Sequence, residues 1–425
     1  MSSRGVVDPA VVGRMHTWFE SMRVPGGYGG PVSHWWRHSL RYAGPGLDWR
    51  YEGIVHGYLN LYESTGDDRW LDSAVRAGTD LVDGQLETGN FRASAFERNP
   101  EVGGTPHEAC ASGALARLAR VLREVDREWA PFARTARRSL QWHVDALWHD
   151  GVRTFSDTIG MDSFVPNKIA STIEALLAFA QLSESDGTLV DRFVLPAAET
   201  ILELQVDSGE HEGAIHQLCT GDPDTGGDGK FFPLYVARCV SPLLAVYDAT
   251  GEERFRSAAV RAGAFLARVE RDEGSFPQVV YEGNGRNVSP RWIAGVGDVL
   301  RAYDALAERG MDLETAAVET WLGNGFDECG AFRTAAGFGQ LSGHDGPVLT
   351  DVVHVVGWND KAFRWLTDRV DGIVVEEPSR FSVRCSFDGT PGRFLEDGDR
   401  TEFVPGEQRG RTYRWDKESQ WAEVA

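Results

Sequence analysis

The chain has 425 residues, 42% of them hydrophobic and 11% aromatic, and a formal charge of −21. That composition can fill a large core and excludes a disordered chain. The charge argues against nucleic acid as a partner, because phosphate would be repelled, and no apolar run reaches the roughly 18 residues of a membrane span.

The opening MSSRGVVDPAVV lacks the basic region and apolar run of a signal peptide, so a soluble, cytoplasmic protein is expected. Arginine supplies nearly all the positive charge; Lys168, Lys230, Lys361 and Lys417 are the only lysines. A dispersed acidic, lysine-poor surface resembles proteins of salt-loving organisms, in which salt screens self-repulsion. The five cysteines form no CxxC pair and are odd in number, which argues against a disulfide framework or a cysteine-rich zinc site.

In chain order, a first helix is predicted at 9–22. The segment YESTGDDRWLDSAVRAGTDLV, from Tyr62, then recurs 185 residues later as YDATGEERFRSAAVRAGAFLA, from Tyr247. Each copy reads as a helical hairpin. In the second, Phe255, Ala259, Ala262, Leu266 and Val269 form one apolar stripe at helical spacing. Gly251 closes the preceding helix, and the acids that follow suit the next N-terminus. A further glycine, at 89 and 274, ends each outer helix before an extended GNF or GSF.

Buried helices are predicted to begin near 51, 106, 167, 233 and 291, spaced 55, 61, 66 and 58 residues apart. More amphipathic partners follow at about 68–85, 129–148, 188–205, 253–270 and 312–322. A last helix near 350–368 makes twelve. Small residues crowd the first set, as close packing around an axis requires. The expected fold is all-α: a closed (α/α)6 toroid of six helical hairpins over 1–370, in preference to an open solenoid. The long, irregular, polar segments between hairpins favour closure, since such loops carry function. From 371 to 425, FSVRCSF alternates in period two between turn signals, predicting a short β-rich tail.

In a toroid the loops at one end surround a funnel, and the buried helices present their first residues there. Two junctions, NPEVGGTPHEA and FSDTIGMDSFVPNKIAST, bring Glu108 and Asp162 to the starts of adjacent buried helices. Paired carboxyls of that kind serve glycoside chemistry as proton donor and base. Helix-end electrostatics for Glu108 and turn capping for Asp162 are the plainer readings. Trp35, Trp36, Trp49 and Tyr51 offer faces for sugar stacking, and Arg37 and Arg50 offer guanidinium groups for a carboxylate or sulfate. Tyr281, Arg291 and Trp292 are similar candidates. His211 and His216 with Glu210 and Glu212 match no strong zinc spacing, and Asp222, Asp224 and Asp228 lack the closing glutamate of a calcium loop, so neither metal nor cofactor is expected. HVVGWNDKAFRWL places His354, Trp358, Asn359 and Asp360 near the sixth hairpin, where they line the funnel or pack the helix.

The stretch MDSFVPNKIASTIEALLAFAQLSES resembles a segment of the unsaturated glucuronyl hydrolases, members of the six-hairpin glycosidase superfamily, in which an Asp-Ser/Thr-Met-Met-Asn run opens a buried helix. Their catalytic Asp falls on Asp162, beside Asn167 and Lys168. Their His-Asp pair is matched by His107–Glu108, with His107 tuning its neighbour. GEHEGAIHQLCTGDPDTGG resembles another of their loops and contains His216. Of their Trp-x-Arg-Gly-Gln run only Arg238 persists. The resemblance implies a glycoside hydrolase-like enzyme acting on an oligosaccharide, uronate-containing in that family, by paired-carboxyl catalysis. A polysaccharide lyase or sugar epimerase, in which His56, His107 or Tyr281 removes a proton, is the second enzymatic expectation. A glycan-binding scaffold without turnover is the third.

Overall fold

The structure is a computed structural model. It describes residues 7–34, 37–43, 45–92, 105–183, 187–283, 285–341, 343, 346–370, 372–387, 389–396, 401–406, 412–415 and 422–424. Among the described residues there are twelve helices of eight or more residues: α1 (Pro9–Ser21), α2 (Arg50–Thr65), α3 (Asp68–Asp83), α4 (Ala109–Glu124), α5 (Ala130–Leu147), α6 (Pro166–Ser183), α7 (Leu195–Glu203), α8 (Pro233–Thr250), α9 (Glu253–Val269), α10 (Gly297–Ala307), α11 (Ala316–Gly323) and α12 (Val356–Thr367).

The six inner helices touch in the cycle α2, α4, α6, α8, α10, α12 and back to α2. The ring is closed. Five hairpins are consecutive pairs, whereas the sixth joins the first helix, α1, to the last, α12. Closure depends on missing side chains. A Cβ on Gly53 of α2 would lie 2.2 Å from the Asp360 carbonyl oxygen, and one on Gly57 would lie 2.4 Å from the Phe363 ring. Outer helices bury one stripe each; on α9 it includes Phe255, Ala259, Ala262, Leu266 and Val269, as the spacing predicts.

Two glycine positions tie the repeat together. Gly251 ends α8 in the left-handed conformation, φ 74°, with its N–H on the Tyr247 carbonyl. Farther along four of the hairpins, the backbone tucks against the next outer helix at a positive-φ glycine. Gly89 lies under the Arg138 carbonyl, and Gly330, at the end of the ring, lies under that of Arg14 in α1. Gly213 and Gly274 repeat the arrangement against Arg261 and Ala317.

The fifth inner helix starts later than its apolar pattern suggested. Arg291–Trp292 instead form a short strand paired with Ala335–Ala336, and a single 3-10 turn, Ala294–Val296, precedes α10. The C-terminal strands Phe381–Phe387, Thr390–Glu396, Thr401–Pro405, Thr412–Trp415 and Ala422–Val424 make an antiparallel meander. Phe381, Phe394 and Phe403 of this sheet are buried.

That sheet is clasped to the ring by ions. His354, fully buried, holds Glu396 of the sheet at 2.7 Å through Nδ1 and Asp327 at 3.0 Å through Nε2. The Trp18 indole N–H donates to the other Glu396 oxygen. Burial alone would lower the His354 pKa; Cys329, Glu396 and Asp327 outweigh it and hold the imidazole well above its ordinary value.

Candidate active site at the axis of the ring

One cavity of about 300 Å³ opens at the end of the ring where the inner helices begin. Every inner helix contributes to it from its first turns or the junction just before. Trp49 precedes α2, and His107 precedes α4. Asn167 and Lys168 open α6, Leu234, Tyr235 and Arg238 come from α8, Asp298 from α10, and Trp358 and Lys361 from α12. Loop residues Asp157, Gln217, Asp228, Lys230 and Phe232 complete the wall. Because α4 and α10 are opposite in the cycle, His107 and Asp298 approach from opposing sides.

The aromatic groups are ordered. Trp49 stacks on His107, with ring centroids 5.4 Å apart and planes 11° apart, and leans on Trp358 at 5.3 Å. Trp292 lies behind Trp358 at 4.6 Å. The Lys361 ammonium sits over Trp49, 4.7 Å from the ring centre. Flat apolar faces beside converging donors and acceptors are what sugar rings need.

Beneath the cavity the axis is filled by charge. Glu52 of α2 reaches across to Arg238 of α8 at 2.7 Å, and Glu174 of α6 reaches across to Arg364 of α12 at 3.0 Å. Lys361 touches Glu52 at 3.4 Å, and Arg301 pairs with Asp298 at 3.2 Å. Burial would raise the Glu52 pKa, but Arg238, Lys361 and Arg364 hold it well below the usual carboxylate range. Glu174 is lowered in the same way, with Arg364 and Arg238 overcoming burial. Near the rim, Lys168 binds Asp157 at 2.9 Å and Lys230 lies 3.5 Å from Asp228.

Of the residues singled out from sequence, Trp49, His107, Asn167, Lys168, Arg238 and Trp358 line this cavity together, with Asp228 of the acidic loop. The paired-carboxyl expectation is not met by the geometry. Asp162 and Glu108 are not among the lining residues: the Asp162 side chain is 69% exposed and bonds His149 Nε2 at 3.0 Å, whereas Glu108 is fully buried behind His107. Asp162 precedes the short strand Ser163–Phe164, which pairs with Cys219–Thr220, so the loop reaches the rim through Asp157 instead.

The others have different tasks. Arg50 is buried against Asp48 at 2.8 Å, and the Tyr51 hydroxyl donates to Asp80 at 3.1 Å while accepting from the Tyr28 N–H. His56 lines a smaller cavity at the opposite end of the axis, 2.8 Å from Arg117. His216 accepts from the Gly229 N–H at 3.1 Å, and Tyr281, exposed on a short strand, pairs with Lys230 of the cavity wall without being among the lining residues. Arg291 binds Glu273 at 3.1 Å and lies over Trp321, lining a separate groove. Trp35 and Trp36 lie outside the described residues, as does the Arg37 side chain.

Asp157, Asp298, Tyr235, Phe232, Lys230 and Lys361 were not singled out by the sequence reading. A signal for several of them was present: they lie within the first turns of the predicted inner helices, and Lys230 and Lys361 belong to a set of four lysines.

Among the described residues, one group has metal-ligand types close together. Cys329, His354 and Glu396 bring donor atoms within 4.8 Å of one another. Both ring nitrogens already face carboxylates, and the Cys329 sulfur lies 3.5 and 3.6 Å from them, over the ring face rather than along a lone pair. This donor set fits an ion clasp better than a metal site. All five cysteines are free and buried. Asp222 caps a turn by accepting from the Asp224 N–H at 3.1 Å. No helix of the described residues is long and apolar enough to cross a membrane.

No protein-family model and no curated protein sequence matches the chain. Solved structures do. A cellobiose 2-epimerase from Bacillus thermoamylovorans superposes with a TM-score of 0.62 at 11% identity, covering 84% of this chain and 99% of that one. A D-mannose isomerase gives 0.60 at 12% identity, covering 84% and 96%. An unsaturated glucuronyl hydrolase from a Bacillus species, responsible for degrading glycosaminoglycan, gives 0.58 at 14% identity, covering 84% and 94%. The likeness is one of fold: the chain is a six-hairpin (α/α)6 toroid, the architecture that its resemblance to the glucuronyl hydrolases implied.

Proposed function

We propose that the protein is a carbohydrate-active enzyme, glycoside hydrolase-like, that processes an oligosaccharide bearing a uronate in the axial cavity. The observation that carries this reading is the convergence of all six inner-helix starts on one pocket holding Trp49, Trp358, His107, Asp157 and Asp298. The tryptophan faces stack the sugar and exclude water from one side. Asp298, paired with Arg301, takes the base role and draws a proton from the attacking water, while Asp157 takes the acid role and delivers one to the departing oxygen. Arg238 and Lys361 at the floor supply fixed positive charge where negative charge gathers. The roles first considered for Asp162 and Glu108 thus pass to carboxylates that line the pocket.

His107 supports a second reading. It is the one histidine among the lining residues, it is held flat by Trp49, and Arg238 and Lys361 stand near enough to line the same pocket. That arrangement suits removal of a proton beside a sugar carbonyl, the chemistry of an epimerase or isomerase. Products separate the readings in a panel of uronate-containing and neutral oligosaccharides assayed at high salt. Shorter chains with loss of the ultraviolet absorbance of a C4–C5 double bond mean hydrolysis of an unsaturated uronide. New absorbance means a lyase, and an isomeric sugar carrying solvent deuterium means an epimerase. Sugar binding with no product from the entire panel rejects the enzyme.

A further inference from the structure

We propose that Lys361 is a specificity-determining residue of the axial cavity, its ammonium group binding the carboxylate of an acidic sugar. The inference rests on the reading of the cavity as a sugar site and adds a residue that the resemblance did not supply.

Lysine is scarce in this chain, four in 425 residues, and three of the four line this one cavity. The two near the rim each face their own carboxylate, Lys168 with Asp157 at 2.9 Å and Lys230 with Asp228 at 3.5 Å. Lys361 differs. Its side chain is 4% exposed at the cavity floor, and the carboxylates beside it are Asp360 at 2.9 Å and Glu52 at 3.4 Å.

Glu52 is shared, because Arg238 and Arg364 bind it too. Asp360 is a poor counter-ion. It is fully buried; one oxygen accepts from the Gly53 N–H at 3.2 Å, and among the described residues the other has no hydrogen-bond partner. A carboxylate so short of donors favours its protonated form. Burial, opposed by Lys361 and reinforced by Asp298 and Glu52, pushes the Asp360 carboxyl up to about 8. At neutral pH the axial network then sets Arg238, Arg301, Lys361 and Arg364 against Glu52, Glu174 and Asp298, leaving one positive charge in excess. An uncompensated buried charge is costly, and a ligand carboxylate at Lys361 supplies the missing anion. A compact ammonium suits a single oxygen at the bottom of a narrow pocket better than a guanidinium fork.

Calorimetric titration of the full chain with a glucuronate disaccharide and its neutral glucose counterpart tests this. Lys361→Gln is expected to weaken the acidic sugar by about tenfold or more and the neutral one by far less. Wild-type affinity for the acidic sugar is expected to fall above about pH 8, as Asp360 ionises beside the ammonium, with a flat profile for the neutral sugar. An unchanged affinity for the acidic sugar in Lys361→Gln, or equal losses for both sugars, overturns the assignment and leaves the sugar site standing. Should that variant not fold, a flat wild-type profile for the acidic sugar overturns it instead. Absence of binding to either sugar by the wild type removes the sugar site, and the assignment with it.

Discussion

Glu52 of α2 and Arg238 of α8 meet at 2.7 Å across the axis of the ring, with both side chains almost completely buried. The pair is a strut between opposite walls and the floor of the cavity at once. Removing one partner leaves three cations without their shared anion. Glu52→Gln is therefore expected to destabilise the fold by about 3–5 kcal/mol. Urea unfolding at fixed salt measures it, and a loss below about 1 kcal/mol, the range of an exposed pair, would show that the network is hydrated rather than dry.

The carboxylates of the cavity wall and the carboxylate of the rim loop make opposite predictions for turnover. Asp298→Asn and Asp157→Asn are expected to lower kcat by about a hundredfold or more while the far-ultraviolet spectrum stays native. Asp162→Asn, changing a side chain that is 69% exposed, is expected to keep most of the activity. Loss of turnover in Asp162→Asn alone would return catalysis to the rim loop.

The clasp between ring and sheet is proton-dependent. The folded-state pKa of His354 is raised above its unfolded value, after Cys329, Glu396 and Asp327 overcome burial. Its contribution is fully present below about pH 6.5 and is lost as pH rises through the folded-state value. Thermal unfolding followed with pH is expected to show the wild type losing stability on the alkaline side. His354→Gln, which is lower throughout, should lack that slope; parallel curves for the two proteins would remove the imidazolium from the account.

Ring closure has its own test. Gly53→Ala places a methyl group 2.2 Å from the Asp360 carbonyl oxygen, so α2 and α12 must separate. Overpacking of this kind costs about 1–3 kcal/mol. Gly66→Ala, at a left-handed helix end with nothing within 4 Å, carries only the backbone cost of about 1 kcal/mol. Denaturation midpoints should rank Gly53→Ala below Gly66→Ala; the reverse order would mean the α2–α12 seam is slack.

By itself the sequence determined the repeat. Apolar residues at helical spacing, glycines at 66, 89, 251 and 274, and buried helices crowded with small residues specify twelve helices in six hairpins, because periodicity and left-handed turns are local properties that one segment can express alone. The start of α10 was one exception, since the strand at Arg291–Trp292 exists only through its partner at Ala335–Ala336, and the last helix, expected near 350–368, is another, a short turn at Leu349–Val352 preceding α12. The site was legible in part: Trp49 was named for its aromatic face and His107 for its place at a helix start, Asn167, Lys168 and Arg238 followed from the resemblance, and all five line the cavity. Only the tertiary structure decided which carboxylates belong there. Whether Asp157, Asp162 or Asp298 faces the axis depends on loop pairing and on helices three places round the ring, and so does the meeting of Glu52 with Arg238 from positions 186 residues apart. Acids are common along this chain, and what distinguishes one from another is the company it keeps after the ring has closed.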